Sequence, residues 1–169
     1  MSMSMSMPMP MPMPTSMSMR SRKFVVDRML GKLARWLRIL GYDTLYPDAK
    51  DDELIEMGNR EGRTLITRDK ELALRCGNSI LITTFTIEDQ LSEMLKNGLG
   101  IDEKEMFTRC TLCNSVLQEI DKNNVQGKIP QKSFENNEKF WYCKDCDKYY
   151  WKGKHWGDIK KKIEKARAG

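Results

Sequence analysis

Short apolar runs alternate with amphipathic stretches between residues 23 and 98. Four runs rich in β-branched residues are predicted to form strands, at 23–27, 44–46, 64–69 and 79–84. Each is followed by a stretch with apolar residues at helical spacing, at 30–40, 51–60, 70–76 and 88–97. This alternation is typical of a parallel sheet with helices on its faces, so we predict an α/β fold with a four-stranded parallel sheet.

The pattern changes beyond residue 98. Helical periodicity is lost from 107 to 151, where cysteine and aromatic residues concentrate, and a Lys-rich helical pattern occupies 157–169. We therefore divide the chain beyond residue 22 into an α/β domain at 23–105, a small cysteine-containing module at 106–156 and a basic C-terminal helix or tail at 157–169.

Residues 1–22 form a separate leader that contains nine of the 13 Met and four of the six Pro. Pro at every second position from 8 to 14 removes backbone donors, so we predict a disordered segment; a Met-rich metal-binding segment is the alternative. The leader lacks the continuous apolar core of a secretory signal. No run in the chain approaches the ~18 apolar residues of a membrane helix, and we expect a cytoplasmic protein that does not bind membranes.

The composition is that of a folded chain with unevenly distributed charge. A hydrophobic content of 40% with 31% charged residues excludes a fully disordered protein. The formal net charge is +5, and residues 139–169 contain ten Lys and Arg against four acids. Aromatic residues are interleaved with Lys there, which is typical of surfaces that bind single-stranded nucleic acid. The alternative is that the aromatics form the small core of this module.

Acidic residues follow every predicted strand of the α/β domain. They are Asp27, Asp51, Asp52, Glu53, Asp69, Glu88 and Asp89. Because the carboxyl ends of parallel strands meet at one edge, these acids are expected to converge and to need a cation between them. Oxygen ligands suit Mg²⁺ or Mn²⁺, which can activate water against a phosphodiester. The alternative is that they are helix caps and solvated loop acids, which is more plausible for the acids that do not end a strand.

Four of the five cysteines form two C-x-x-C pairs. They are Cys110, Cys113, Cys143 and Cys146. Two such pairs predict a tetrahedral zinc site with all four positions filled by protein, hence a structural zinc and not a catalytic one. Disulfides or a redox-active pair are the alternatives, and a reducing compartment disfavours the first. Asn114 and Asp147 each follow the second Cys of a pair, where a turn often needs a left-handed residue.

Basic residues on the first predicted helix recur every three positions beside its Leu stripe. Together with two basic residues elsewhere they are our candidate RNA-binding residues: Lys32, Arg35, Arg38, Arg68 and Lys154. The helix begins close to Asp27, so its cations could guide a phosphate backbone towards the acids. An ordinary exposed basic face is the alternative.

Several segments resemble a known family. They are FVVDRMLGKLARWLRILGYDT, LITRD, RCTLCN and YCKDCDKYYWKGKHW, and they resemble the RNase domain at the C-terminus of the mutator exonucleases over about residues 23–156. The resemblance implies a PIN-like nuclease fold with an appended zinc ribbon. It also implies catalytic, metal-binding roles for Asp27, Asp51 and Asp69, with Asp89, or else Glu88, as the fourth acid. The four ribbon cysteines of the family match those named above.

The leading interpretation is a cytoplasmic ribonuclease that depends on Mg²⁺ or Mn²⁺ and cleaves RNA, more plausibly single-stranded RNA, with the zinc ribbon assisting RNA binding. One alternative is a non-catalytic RNA-binding or ribosome-associated zinc-ribbon protein. Another is a toxin-like nuclease that depends on a partner antitoxin.

Overall fold

The structure, a computed structural model, describes residues 22–169, and its first part is a parallel sheet covered by helices. The strands are β1 (Lys23–Val26), β2 (Asp43–Leu45), β3 (Thr64–Thr67) and β4 (Ser79–Leu81). The helices are α1 (Gly31–Ile39), preceded by a 3₁₀ turn (Arg28–Leu30), α2 (Asp51–Glu61), α3 (Lys70–Arg75) and α4 (Ile87–Lys96). The strand order is β2-β1-β3-β4 with every neighbouring pair parallel, which confirms the predicted fold class. The predicted leader lies outside the described residues, except for Arg22.

Helices cover both faces of this sheet, which explains why its strands are apolar throughout. Phe24 and Val26 of β1 belong to a large core cluster with residues of α1 and α4. Val25, between them, belongs to a second cluster with Leu54 of α2 and Leu72 of α3. Alternate residues of a strand point to opposite faces, so both sets are buried at once.

The strands end earlier than the sequence pattern predicts. For β4 the reason is a side chain: the backbone N–H groups of Thr83 and Thr84 donate to the carboxylate of Glu93 on α4, at 2.8–3.1 Å. These donors are therefore satisfied by a carboxylate and not by a neighbouring strand. The segment after Leu81 thus becomes a loop above the carboxyl end of the sheet.

The second part is a three-stranded antiparallel sheet. Its strands are β5 (Gln118–Ile120), β6 (Phe140–Cys143) and β7 (Lys148–Trp151), in that order. A 3₁₀ turn (Lys122–Asn124) and a short helix, α5 (Gln131–Asn136), connect β5 to β6. The sequence pattern did not indicate either segment, because three to six residues are too short to show helical periodicity.

The C-terminal segment is a helix packed on the first part of the molecule. This helix, α6 (His155–Ala168), lies against α4. Its Ile163 and Ala166 are buried in the large core cluster. The basic segment that we expected as a separate helix or tail is thus an element of the α/β core. None of the helices within residues 22–169 is long and apolar enough to cross a membrane.

Candidate active site and metal centre

The carboxylate of Asp27 and the backbone of Asp69 are connected at the edge of the sheet where β1 and β3 end. Thr67, the last residue of β3, connects them: its hydroxyl donates to Asp27 Oδ2 at 2.9 Å and accepts from the backbone N–H of Asp69 at 3.0 Å. Thr67 itself is buried. We call Asp27, Thr67 and Asp69 the carboxyl edge. The two acids, 42 positions apart in sequence, are thereby held on neighbouring strands by one shared hydroxyl.

Asp69 also has a structural task. Its Oδ1 accepts hydrogen bonds from the backbone N–H groups of Glu71 and Leu72, at 2.9 and 3.1 Å, and so caps α3. This is the role that the alternative interpretation gave to the acids. A cap orients the carboxylate rigidly, since two backbone donors fix one of its oxygens.

Asp51 lies across a cavity from Asp27. Both residues line an open cavity of about 440 Å³, together with Asp52, Lys50 and Arg75, among others. Arg75 forms an ion pair with Asp52, and this hydrogen bond raises the pKa of the guanidinium. Asp51 is exposed and opens α2. The cavity is therefore lined by the predicted acids Asp27 and Asp51, while the third acid in its lining, Asp52, is paired with Arg75.

Asp89 does not line this cavity. It lies in the first turn of α4, and its backbone N–H donates to the hydroxyl of Thr86 at 3.2 Å. Its neighbour Glu88 faces α6, where its carboxylate lies 3.8 Å from Lys162 Nζ. Among the described residues, neither Asp89 nor Glu88 forms a hydrogen bond or an ion pair with a residue of the carboxyl edge.

The predicted acids do not form a converging cluster among the described residues. Within residues 22–169, the group of three or more potential ligand residues whose atoms converge is that of the cysteines, and the four predicted acids do not form such a group. Mg²⁺ usually keeps several waters and takes only one or two protein carboxylates. The carboxylates of Asp27 and Asp51 on an open cavity fit an ion bound in this way.

The four cysteines converge into a group that could hold a metal ion. Their Sγ atoms all lie within 4.8 Å of one another. Cys110 and Cys146 are 3.8 Å apart, and Cys113 and Cys143 are 3.4 Å apart. Sulfurs bound tetrahedrally at the Zn–S distance of about 2.3 Å lie about 3.8 Å apart, so the donor set and its size fit zinc. These distances do not suit a disulfide, whose sulfurs are about 2.0 Å apart.

The two turns that carry the cysteines have the predicted backbone. Asn114 has a φ of 72° and Asp147 a φ of 50°, both in the left-handed region, which confirms the expectation for these residues. Burial raises the pKa of Cys113, but hydrogen bonds involving Ser115 and the neighbouring thiols outweigh it and lower this pKa to about 6. The thiolate is the form that binds metal, and the four thiols differ in this respect, because hydrogen bonds with the neighbouring thiols, Cys113 first, raise the pKa of Cys146 to about 12.

The first cysteine turn, residues 110–114, is fastened to the α/β sheet; we call it the first knuckle. Arg38 of α1 is buried and donates from Nε to the carbonyl of Thr44 at 2.9 Å, and from Nη1 to the carbonyls of Thr111 and Leu112 at 3.0 and 3.1 Å. The guanidinium is thus engaged by protein carbonyls on both sides of the junction. This structural task was not apparent in the sequence, where Arg38 was grouped with the RNA-binding candidates.

Asn114 makes the second connection. Its amide donates to Asp43 Oδ1 at 2.8 Å and accepts from the backbone N–H of Thr44 at 2.9 Å. Arg63 also contacts Asp43 Oδ1, at 2.8 Å. Burial raises the pKa of Asp43, but the hydrogen bonds from Arg63 and Asn114 outweigh it and lower the pKa. The sequence indicated the left-handed turn at Asn114 but carried no signal for this contact.

The remaining basic candidates are distributed around the carboxyl edge and the junction. Lys32 and Arg35 line a cavity of about 430 Å³ that Thr111 and Leu112 close on the other side. Arg68 is half-buried and donates to the carbonyl of Thr84. Lys154 is exposed at the start of α6.

Thr67 is a site residue that the sequence analysis did not single out. It is part of the quoted LITRD segment, and this was its only signal.

Comparison with known proteins agrees with the resemblance noted in the sequence. The model of the Mut7-C RNAse domain family matches residues 22–163. No curated protein matches the sequence. The matched range contains the whole parallel sheet, the carboxyl edge and the four cysteines. The chain therefore belongs to the Mut7-C RNAse domain family.

Proposed function

We propose that this protein is a ribonuclease that uses Mg²⁺ or Mn²⁺ at the carboxyl edge to hydrolyse phosphodiester bonds of single-stranded RNA. The observation that carries the proposal is the position of Asp27. It shares the Thr67 hydroxyl with the backbone of Asp69 and shares an open cavity with Asp51. This position supports a site at which Asp27, Asp51 and Asp69 would hold a cation for phosphodiester hydrolysis.

In this proposal Asp27, Asp51 and Asp69 hold the cation, with Asp89 as the fourth acid and Glu88 as the alternative. A cation held there would provide Lewis-acid activation of water and stabilisation of the leaving oxygen. The chain itself contributes orientation: the Thr67 hydroxyl fixes Asp27, and the backbone of α3 fixes Asp69. Such fixed carboxylates need little rearrangement when substrate arrives.

Basic residues would hold the RNA backbone. We assign phosphate contacts to Lys32, Arg35, Arg68 and Lys154. For Arg38 we propose an indirect role, because its buried guanidinium already binds the carbonyls of the first knuckle. The four cysteines would hold a structural zinc that keeps the ribbon folded beside the RNA.

The direct test is Asp27→Asn, assayed with Mn²⁺ on a short single-stranded RNA. Asn keeps the shape of the side chain and removes the ligand charge, so cleavage should fall by about 100-fold or more, several kcal/mol of lost stabilisation. Asp158→Asn is the matched control, since Asp158 is exposed on α6 and does not line the cavity of Asp27 and Asp51, and its cleavage rate should equal that of the wild type. Equal product from Asp27→Asn and the wild type would reject the proposal.

One observation favours a second candidate, an RNA-binding protein without catalysis. The four acids do not form a converging group among the described residues, whereas the cysteines do. That candidate predicts RNA binding that weakens with salt, persists in a variant lacking both Asp27 and Asp69, and is accompanied by no cleavage in Mn²⁺. Binding and cleavage measured on the same protein preparations distinguish the ribonuclease from the RNA-binding protein.

A further inference from the structure

A large aromatic side chain stands in solvent beside the carboxyl edge. Phe85, in the loop between β4 and α4, is 84% exposed, and Met29, just after β1, is 71% exposed. Both line one cavity of about 450 Å³, together with Lys32, Glu88 and Lys162 among others; we call it the stacking cavity. Single exposed apolar residues are common, but two that share a cavity with cations indicate a binding surface.

The loop that carries Phe85 is held in place by side chains of α4. The backbone N–H of Thr84 donates to Glu93 Oε1 at 2.8 Å, and the carbonyl of Thr84 accepts from Gln90 Nε2 at 3.1 Å. Arg68 donates to the same carbonyl. The ring is therefore presented on a fixed backbone, which lowers the entropy lost when a ligand packs against it.

The ring already packs against Arg68, whose neighbours in sequence are two residues of the carboxyl edge. The guanidinium carbon of Arg68 lies 4.2 Å from the centre of the Phe85 ring. Arg68 stands in sequence between Thr67 and Asp69, and Met29 follows Asp27 by two positions. The stacking cavity thus includes Met29, two positions after Asp27, and its Phe85 packs on Arg68, the residue before Asp69.

We propose that Phe85 stacks on a nucleobase of a single-stranded RNA whose backbone crosses the carboxyl edge, an inference that rests on the proposed function of that edge. Lys32 and Lys162 of the stacking cavity contact the phosphates on either side of the stacked base. Glu88 is the acid of this cavity, and it lies 3.8 Å from Lys162, so cations predominate around the ring.

The chemistry of the cavity selects an unpaired base. A base has an apolar face that an aromatic ring covers regardless of sequence, and the flanking phosphates need cations. In duplex RNA both faces of each base are covered by its neighbours, and the deep groove keeps side chains away from the base edges. Phe85 therefore distinguishes single-stranded from double-stranded RNA before any cleavage occurs.

The test is the affinity of full-length variants for a short, unstructured, labelled RNA, measured by fluorescence anisotropy without added Mg²⁺ or Mn²⁺. Phe85→Ala removes the ring that stacks on one base, so the affinity of this variant for the RNA should be about 5- to 150-fold weaker than that of the wild type. Phe85→Trp should retain the affinity and Phe85→Leu should not, because Leu keeps an apolar side chain without a flat ring. Leu74→Ala is the matched control: Leu74 is 80% exposed on α3, and its truncation should leave the affinity unchanged.

The salt dependence of the RNA affinity distinguishes base stacking by Phe85 from phosphate contacts by the lysines. Phe85→Ala should keep the wild-type slope of affinity against salt, whereas Lys32→Ala should reduce this slope by about 0.7 for each phosphate that it no longer neutralises. Thermal melting of each variant shows that the fold is intact. Affinity of Phe85→Ala or Phe85→Leu equal to the wild type, or equal wild-type affinity for the single strand and its duplex, overturns the inference.

The experiment also separates this inference from the function on which it rests. Phe85-dependent binding by a protein that does not cleave in Mn²⁺ would retain the base contact and reject the ribonuclease. Cleavage that requires Asp27 but is indifferent to Phe85, in rate and in affinity, would retain the ribonuclease and reject the base contact.

Discussion

The Thr67 hydroxyl is the group on which the geometry of the carboxyl edge depends. It is buried, donates to Asp27 and accepts from the backbone of Asp69. A hydroxyl can do both at once because it has one proton and two lone pairs. The hydroxyl therefore links the carboxylate of Asp27 to the backbone that carries Asp69.

Replacing Thr67 by Val should separate orientation from ligand charge. Val has nearly the same shape but no hydroxyl, so Thr67→Val should cost about 1–2 kcal/mol of unfolding free energy. It should also lower kcat/KM by about 10- to 100-fold, because the Asp27 carboxylate is no longer oriented by a hydrogen bond. Urea denaturation and RNA cleavage measure the two effects.

Thr67→Ser is the control for this variant, since it keeps the hydroxyl and removes a methyl group. Its cleavage rate should stay near that of the wild type, although it is also less stable. If Thr67→Val and Thr67→Ser cleave RNA equally fast, the hydroxyl has no part in positioning Asp27.

At the scale of elements, the packing of α6 shows that the C-terminal Lys residues belong to a helix of the α/β part. Its Lys residues look like a basic tail in sequence, yet Ile163 and Ala166 of the same helix are buried in the core shared by β1, α1 and α4. Lys160 lies 5.0 Å from the centre of the Trp156 ring, so part of this charge rests on aromatic side chains. The helix thus completes the α/β core while presenting cations beside the stacking cavity.

Shortening the buried side chain of α6 should destabilise the whole α/β part. Ile163→Ala leaves a cavity among fully packed neighbours and should lower the free energy of unfolding by about 2–4 kcal/mol. Lys161→Ala, an exposed position on the same helix, should change it by less than about 0.5 kcal/mol. Urea denaturation of both variants is the measurement, and equal stabilities would mean that α6 behaves as a tail.

At the scale of the whole molecule, hydrogen bonds of the first knuckle connect the cysteine cluster to the α/β part. The first knuckle supplies two carbonyls to Arg38 and an amide to Asp43 and Thr44. Without a metal to hold the knuckle, a buried guanidinium and a buried backbone N–H would lose their partners. An unsatisfied buried polar group is costly, so the damage should extend into the sheet.

Removal of zinc by a chelator should therefore lower the melting temperature by about 5–15 °C and also loosen β2. The reporter is hydrogen exchange at the backbone N–H of Thr44, which donates to Asn114 and should become less protected when the metal leaves. Protection should return when zinc is added back. Unchanged protection of Thr44 in the metal-free protein would show that the two parts fold independently.

Local signals account for much of what could be predicted. The left-handed turns at Asn114 and Asp147 follow from residue type and from position after a C-x-x-C pair. Gly41, just after α1, has a φ of 95° in the region that glycine adopts readily, and a Cβ there would collide with the carbonyl oxygen of Glu105. The turn conformation at each of these positions depends on a few neighbouring residues.

Contacts between distant residues could not be predicted in the same way. Arg38 looks like the third member of an exposed basic series, but the first knuckle, 73 positions away, covers it. The sharing of Thr67 by Asp27 and Asp69, and the packing of Phe85 on Arg68, depend likewise on the order of the strands. Nothing in the pattern around any one of these residues encodes its partner.

The sequence by itself determined the α/β class with its four strands and main helices, the four cysteines as candidate metal ligands and the resemblance to the family, because strand period, turn chemistry and C-x-x-C spacing act over short distances along the chain. Only the tertiary structure decided which acids share a hydrogen bond, which arginine is buried and which aromatic side chain stands beside the acids. Those outcomes depend on the strand order and on the docking of the first knuckle, which bring together groups that are remote in the chain.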